Sequence, residues 1–406
     1  MRFSLITRFL VVFALLAAAC SGNGDAQDTT STTAMATTTA APTTTASTTT
    51  TEAGPQQVSL GFTMPDGFAA PLDEFYSWLA DARNPEPNVP ADLLTHLAGL
   101  HRTDPGAEGG VSSAELSTGD SVAIAHVDND VLALVDDGSG WRIVGAAMDG
   151  TTPWFGPEPR MVLVLGSDAR PGENQQRYRA DSVHILTVVP SQGAGAIVGF
   201  PRDSWVEGPK GMNKLTNHMA GAGPEVEMDI VKNITDLPIE GYFVTGFLGF
   251  DGLITALGGL HIDLPSTMRS GNNWSNFPAG EQTLNPTRTL QLARIRKGLA
   301  RGDFDRSVNQ GRIMLAGMDM IQTAGIDMLP QWISILLDNV WTDLSTEDLL
   351  TLAASIYFFG SDQLTNVVLP GSIGTAGSAS VVYLAPEAED VYRDLEDGLL
   401  QTTAGS

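Results

Sequence analysis

The sequence predicts an α/β protein whose sheet is covered by helices on both faces, preceded by a small α+β module. Two observations support this. After Arg160, compact β-branched and apolar runs alternate with longer stretches of helical apolar spacing. Such alternation is typical of a sheet packed between helical layers. Before that point, residues 58–150 show two helical stretches followed by three short strand-like runs with turn residues between them.

The elements follow in order along the chain. In the module, helical spacing predicts helices over 73–82 and 91–100, and alternation predicts strands over 121–127, 131–135 and 141–147. Beyond it, strands are predicted over 161–165, 183–189, 196–200, 260–264, 366–369 and 379–384. Helices are predicted over 224–235, 246–257, 303–323, 331–339 and 346–358. The module carries no recognisable chemistry.

Composition and missing motifs exclude several functions. The formal net charge of -25 argues against nucleic-acid binding, which needs a basic surface. The sequence contains no P-loop, no HExxH and no GxSxG, and its six histidines do not pair at i, i+4. Zinc peptidases, P-loop NTPases and ordinary serine hydrolases are therefore disfavoured.

The N-terminus predicts secretion and attachment to a membrane. Residues 1–19 combine two arginines with a short apolar stretch, as in a lipoprotein signal peptide, and Cys20 follows at a lipobox-like site. An uncleaved signal anchor with a chance cysteine is the alternative. Residues 20–57, with a Thr-rich stretch lacking large apolar side chains, are expected to form a disordered tether reaching roughly 30 Å. Either alternative places the body of the protein outside the cytoplasmic membrane.

Charged residues gather at the ends of three predicted strands. Asp168 and Arg170 follow the first strand, Arg179 and Asp181 precede the second, and Arg202 closes the third. Loops at strand ends are where α/β proteins build their sites. For any single residue, a turn cap or a surface ion pair is an adequate explanation. The three loops together favour a site.

A second cluster strengthens that interpretation. Seven basic residues lie between positions 288 and 312, opposed by two aspartates, in a chain with only 22 Lys and Arg. Arginine suits phosphate oxygens because its planar fork donates paired hydrogen bonds. A surplus of arginine in so acidic a protein implies an anionic ligand. Two carboxylates beside it, Asp168 and Asp181, imply a shared divalent metal, with Mg²⁺ expected.

Seven segments in this order resemble the LytR-CpsA-Psr family of cell-wall glycopolymer transferases. They are Gly166 to Arg170, Arg179 to Ser182, Pro201 to Asp203, Lys214 to Pro224, Phe247 to Pro265, Ala293 to Lys297 and Gly302 to Gln310. The resemblance implies a catalytic domain over 158–402 with an α/β/α sandwich and a central mixed sheet. It implies that the pyrophosphate of a polyprenyl-linked glycan is bound by Arg170, Arg179, Arg202, Arg294, Arg296, Arg306 and Gln310.

The resemblance also implies the reaction. Asp168, Asp181 and Arg202 are expected to be catalytic, with Mg²⁺ on the two aspartates, and Asp303 and Lys214 are expected to support the arginines. The glycopolymer would pass from its carrier to peptidoglycan. Asn309 departs from the family pattern, which often has Arg there. Two alternatives stay open: a protein that binds the lipid or polymer without turnover, and a pyrophosphatase side activity.

The lipid tail of the carrier needs an apolar site, for which the sequence offers candidates without deciding among them. They are Ile313, Met314, Met318, Ile321, Trp332, Ile335, Leu336, Ile356 and Phe359. Each of these side chains is equally explained as ordinary core.

Overall fold

The computed structural model describes residues 54–104, 106–269, 276–398 and 400. The predicted signal peptide, Cys20 and most of the predicted tether lie outside these ranges. Within them, no helix is both long enough and apolar enough to cross a membrane.

The N-terminal part is an antiparallel sheet of four strands in chain order, with two helices before it. The first strand was not predicted, because its run from Gly109 to Glu115 contains a single β-branched apolar residue. It forms because the next strand supplies a full antiparallel partner at the sheet edge. The elements are α1 (Ala69–Ala80), α2 (Ala91–His96), β1 (Gly109–Glu115), β2 (Ser121–Val127), β3 (Asp130–Asp136) and β4 (Arg142–Ala147).

The rest of the chain alternates strands and helices, as the sequence predicts. Up to Leu264 it forms β5 (Arg160–Ser167), β6 (Ala180–Val189), β7 (Ala194–Gly199), β8 (Trp205–Gly208), β9 (Gly211–Lys214), α3 (Leu215–His218), α4 (Pro224–Thr235), β10 (Gly241–Thr245), α5 (Phe247–Ala256) and β11 (Leu260–Leu264). It continues with β12 (Met268–Arg269), β13 (Asn276–Phe277), β14 (Gly280–Leu284), α6 (Pro286–Arg294), α7 (Asp303–Ala324), α8 (Leu329–Asn339), β15 (Trp341–Thr342), α9 (Thr346–Phe359), β16 (Leu364–Val368), β17 (Gly371–Ala376), β18 (Ala379–Leu384) and α10 (Glu387–Asp394).

The central sheet has six strands in the order β15-β10-β5-β6-β7-β16. Strand β10 runs parallel to β5 and β16 runs parallel to β7, whereas β6 is antiparallel to both of its neighbours. The predicted mixed sheet is confirmed. Because β6 runs against β5 and β7, its first residues lie beside the carboxyl ends of those two strands.

Successive side chains of the sheet point to opposite faces. Leu163, Leu165 and Val198 pack on one face against residues of α3, α4 and α10. Leu186 and Ile197 pack on the other face, against residues of α7 and α9. This completes an α/β/α sandwich.

The N-terminal sheet packs directly against helices of the sandwich. Its face bearing Ile124 forms one buried cluster with Leu329 and Ile333 of α8 and Leu350 of α9. Arg142 reinforces the contact from β4 by pairing with Glu347 of α9 at 2.7 Å. Helix α9 therefore lies between the two sheets, and α8 packs beside it against the N-terminal sheet.

Arg160 secures the junction between the two parts. Its side chain is 3% exposed and pairs with Glu240 at 2.9 Å. It also donates to the Phe155 carbonyl at 2.7 Å and to Thr351 Oγ1 at 3.2 Å. A buried guanidinium needs such partners for all its donors. The first strand of the central sheet is thus tied to α9 at its start.

Candidate active site at the edge of the central sheet

The predicted site residues meet at one edge of the central sheet. Asp168 follows the end of β5, Asp181 is the second residue of β6, and Arg202 comes three residues after β7. The antiparallel course of β6 brings these three positions to the same edge. The three loops singled out in the sequence are therefore neighbours in space.

Asp168 and Arg179 form a closed pair across the β5–β6 loop. Asp168 Oδ1 accepts a hydrogen bond from the Arg179 backbone N–H at 3.0 Å, and Oδ2 accepts one from Nε at 2.9 Å. The Arg179 side chain is 54% exposed, whereas that of Asp168 is 14% exposed. The carboxylate is held in place, and the guanidinium has room to turn towards a ligand.

Asp181 and Arg202 form the centre of the site. Arg202 Nη1 donates to Asp181 Oδ1 at 2.6 Å, and Lys214 pairs with the neighbouring Asp203 at 3.2 Å. Burial opposes the charged form of Arg202, but Asp181 and Asp203 outweigh it and hold the pKa of Arg202 above its usual value. Arg202 therefore stays a cation in a partly buried position. Lys214 supports it through Asp203, which the sequence analysis did not assign a role.

Arg306, in the first turn of α7, is the second cation of the site. Its Nη2 lies 2.5 Å from Asp303 Oδ1, and its side chain is 8% exposed. Burial lowers the pKa of Arg306, and repulsion from Arg202 and Arg296 adds to that effect. The positive end of the helix dipole also lies here. Asp303 and Asp181 act in the opposite direction, so Arg306 is a buried cation between attracting and repelling charges.

Two buried guanidinium nitrogens in the cluster have no hydrogen-bond acceptor within the described part of the chain. Among the residues that the structure describes, neither Arg202 Nε nor Arg306 Nε makes a hydrogen bond. Buried polar groups of native proteins are nearly always satisfied. The two guanidinium groups repel each other, and each has a donor without a hydrogen bond. This indicates a site for an anion with several oxygens, such as a pyrophosphate.

A neutral histidine lies beneath the cluster. His184 is fully buried on β6, with Nε2 at 3.1 Å from the Ser307 carbonyl and Nδ1 at 3.1 Å from Ser182 Oγ. Burial lowers its pKa to about 4, and nearby Arg306 acts in the same direction. Strand β7 approaches α7 here through Gly199, where a Cβ atom would lie 2.1 Å from Ser307 Oγ. No local sequence pattern identifies His184 or Gly199, since both act through contacts between elements distant in sequence.

An apolar tunnel of about 400 Å³ opens onto the arginine cluster. Asp181, Arg294 and Gln310 lie at its polar end, and Arg294 is also 5.1 Å from the ring centroid of Phe247. Residues of α5, α7, α8 and α9 form its apolar walls. Of the candidates for the lipid tail, Ile313, Met314, Met318, Ile321, Trp332, Leu336 and Ile356 line the tunnel. Ile335 and Phe359 are not among the lining residues.

The remaining predicted residues lie around this centre. Arg296 is close enough to Arg306 to affect its pKa. Arg170 lies in an exposed loop, where its backbone N–H donates to Glu173 at 2.7 Å. Asn309 is buried and accepts a hydrogen bond from Arg312 at 2.8 Å, so this departure from the family pattern is accommodated in the core.

One carboxylate oxygen, Oδ2 of Asp181, fits a divalent cation that would be shared with a ligand. Asp181 lies at the tunnel end, and within the described part of the chain only its Oδ1 accepts hydrogen bonds, which leaves Oδ2 without one. In Asp168, by contrast, both carboxylate oxygens accept hydrogen bonds from Arg179. The described residues contain no group of three or more acidic or histidine side chains that could hold a metal. Mg²⁺ commonly uses one or two carboxylates and completes its shell with phosphate oxygens and water. Asp181 is the better placed of the two predicted ligands.

Comparisons with known proteins agree with this geometry. The sequence model of the LytR_cpsA_psr family matches residues 154–396. TagU of Bacillus licheniformis, named as a polyisoprenyl-teichoic acid–peptidoglycan teichoic acid transferase, is 28% identical over 249 residues, covering 60% of this chain and 78% of the relative. TagV of Bacillus subtilis carries the same description and is 27% identical over 260 residues, covering 60% and 65%.

Solved structures show the same fold. The crystal structure of Bacillus subtilis TagV is 26% identical, with a TM-score of 0.51, and the match covers 60% of this chain and 98% of that one. A protein from Streptococcus agalactiae shares the fold at 18% identity and a TM-score of 0.52, with 61% and 90% covered. The family model matches only from Trp154 onwards, so its match does not include the N-terminal sheet.

We expect His184 to make stability depend on pH. Its pKa falls from 6.5 in the unfolded chain to about 4 in the folded protein. The free energy of unfolding keeps its full value above about pH 6.5. It decreases as pH falls towards 4, because this histidine binds a proton more readily in the unfolded chain than in the folded protein. Between pH 7.5 and 5, unfolding should become easier by about 2 kcal/mol from this residue alone.

Denaturant unfolding of wild type and His184→Asn at both pH values measures this difference. The variant should lose about 2 kcal/mol less than wild type over the same interval. Equal losses in the two proteins would contradict a neutral, buried histidine.

Proposed function

The chain belongs to the LytR_cpsA_psr family, and on that premise we propose that it transfers a glycopolymer from a polyprenyl-pyrophosphate carrier to peptidoglycan. One observation carries the proposal: an apolar tunnel ends at a cluster of incompletely paired arginines. That arrangement suits a ligand with an isoprenoid tail and a pyrophosphate head. The activity named for the TagU and TagV relatives is of the same class.

The donor is positioned by two different kinds of contact. Its isoprenoid chain lies between α5, α7, α8 and α9, where burial of apolar surface supplies binding energy. Its pyrophosphate reaches Arg202 and Arg306, with Arg294 and Gln310 at the tunnel end. Arg179 joins by turning away from Asp168. The contacts with Arg202 and Arg306 satisfy Nε donors that make no hydrogen bond within the described residues, and the contact with Arg179 uses an exposed guanidinium.

The reaction is a phosphoryl transfer. A sugar hydroxyl of peptidoglycan attacks the phosphorus nearer to the glycopolymer, and its proton passes to Asp181 or Asp168. A new P–O bond to the acceptor forms as the bridging P–O bond of the pyrophosphate breaks. The leaving group is polyprenyl phosphate. The arginines stabilise the negative charge that develops on the phosphoryl oxygens, which is the main requirement of this chemistry.

Mg²⁺ belongs to the proposal as a cofactor held by Asp181, with Asp168 as the second carboxylate. When bound, it would neutralise charge on the pyrophosphate oxygens. Arg202 holds Asp181 in position by its hydrogen bond at 2.6 Å.

Attachment to the membrane is a further part of the proposal. A lipid on Cys20, followed by the Thr-rich tether, would hold the catalytic domain at the outer face of the cytoplasmic membrane. A polyprenyl donor is confined to that membrane, so an anchored enzyme meets it readily.

A binding protein without turnover is the alternative function. The transferase activity named for the TagU and TagV relatives disfavours it. Hydrolysis, with water replacing the sugar hydroxyl, is expected as a side reaction of the same centre.

Replacing Arg202 tests the arginine cluster. In transfer assays with a polyprenyl-pyrophosphate glycan, Mg²⁺ and peptidoglycan, Arg202→Ala should lower kcat by about 10²-fold or more, because charge stabilisation in the transition state is lost. Arg83→Ala, which removes an exposed arginine of the N-terminal part, is the matched control and should retain wild-type rates. Near-normal turnover in Arg202→Ala would remove this residue from the mechanism.

Filling the tunnel tests the binding of the lipid. Gly317 lines it on α7, roughly 10 Å along the helix from Gln310, and a Cβ there meets no atom within 4 Å. Gly317→Phe should raise KM for a long polyprenyl donor about tenfold, roughly 1.4 kcal/mol of lost binding. KM for a donor with one isoprene unit should not change. Gly317→Ala is the size control, and equal effects on both donors would contradict tail binding in the tunnel.

A further inference from the structure

A second cavity of about 910 Å³ lies near the arginine cluster and has no part in the donor site described above. Three segments form it: the loop that leads into α7, the turn between β16 and β17, and the first turns of α10. We call it the α10 groove. Its lining residues include Arg301, Phe304, Pro370, Ile373, Glu387 and Asp390.

The groove lies on the far side of the arginines from the tunnel. The polar end of the tunnel includes Gly166 at the end of β5, Asp181 at the start of β6 and Thr245 at the end of β10. Arg202 follows β7, and the groove begins at Val368, the last residue of β16. The sheet order β10-β5-β6-β7-β16 therefore places the tunnel, the arginines and the groove in sequence along one edge.

Chain connections and hydrogen bonds link the groove to the catalytic residues. Arg301 and Gly302 line the groove and immediately precede Asp303, the partner of Arg306. The β17–β18 hairpin, which contributes Ile373, is held to the site by a hydrogen bond from the Val382 N–H to the Asp203 carbonyl at 2.8 Å. The groove and the phosphoryl centre therefore share their supporting backbone.

The geometry points to the α10 groove as the binding site for the acceptor, a glycan strand of peptidoglycan type, an assignment that rests on the proposed transferase function. In phosphoryl transfer the attacking and leaving oxygens lie roughly in line through phosphorus. The leaving polyprenyl phosphate occupies the tunnel side of the arginines. The attacking hydroxyl must then come from the opposite side, where the groove lies.

The lining of the groove suits a sugar chain. Ile373 is 71% exposed and offers a surface for the apolar face of a pyranose ring. Glu387 and Asp390 provide exposed carboxylates that accept hydrogen bonds from sugar hydroxyls. Arg301 is fixed at the rim by a hydrogen bond from its Nε to Asp305 at 2.9 Å, and guanidinium donors suit the carbonyl oxygens of acetamido groups.

The test uses the full chain, with Ile373→Ala and Glu387→Gln as groove variants. Ser372→Ala, next to Ile373 in the hairpin, and Glu389→Gln, on the same helix as Glu387, are matched controls outside the lining. Two quantities are measured for each protein: the Kd for soluble amino-sugar glycan fragments of peptidoglycan, without donor, and KM for acceptor and donor in the transfer assay. Thermal melting checks that each variant is folded.

Both groove variants should raise the fragment Kd and the acceptor KM at least fivefold, with donor KM within twofold of wild type. The controls should match wild type. An unchanged fragment Kd in folded groove variants overturns the groove as the acceptor site, and a rise in donor KM alone assigns it to the donor glycan instead. If wild type binds fragments in the groove but transfers nothing, the proposed transferase function fails and the glycan-binding assignment stands.

Discussion

Concentrating several guanidinium groups at one edge of the sheet is the constraint on which the rest of this structure depends. Arg202 is partly buried, Arg306 is buried, and the two repel each other; the N-terminus of α7 adds further positive potential. Aspartates offset this charge: Asp181 and Asp203 for Arg202, and Asp303 for Arg306. The neutral state of His184 beneath them avoids another cation. Arg202 Nε and Arg306 Nε still make no hydrogen bond within the described residues, and the oxygens of a pyrophosphate would supply acceptors for them.

The apolar tunnel imposes a second requirement, because a cavity lined by helices must keep its width without being filled. Leu329 and Ile333 of α8 and Ala353 of α9 line the tunnel and also belong to, or pack against, the cluster formed with the N-terminal sheet. These helices thus have the tunnel on one side and a second sheet on the other. The N-terminal part, for which the sequence offered no role, is placed to support the tunnel wall from outside.

Much of the sandwich was predictable from periodicity, and the failures have physical reasons. The boundaries of α4 and β11 were predicted correctly, because their amphipathic patterns are complete within one element. Strand β10 was missed because Tyr242, Phe243 and Val244 are consecutive large apolar residues and show no alternation, unlike the equally short β11. Helix α6 was missed despite its Asn285 cap and Pro286 start, because its nine residues are too few for the apolar side chains to repeat over successive turns. In the site, the family motifs located Asp181, Arg202 and Arg306. His184 and Asp203 act through contacts between elements distant in sequence, which no local pattern reveals.

The bond formed by the enzyme tests the central claim most directly. After reaction with a polyprenyl-pyrophosphate glycan carrying ³²P in the phosphate nearer to the glycan, the peptidoglycan is digested to muropeptides and analysed by mass spectrometry. Transfer as described here predicts muropeptides that carry the glycan through a phosphodiester containing the labelled phosphorus, with unlabelled polyprenyl phosphate released. Glycan joined to peptidoglycan without the label, or label recovered only as free phospho-glycan, would contradict phosphoryl transfer to the acceptor.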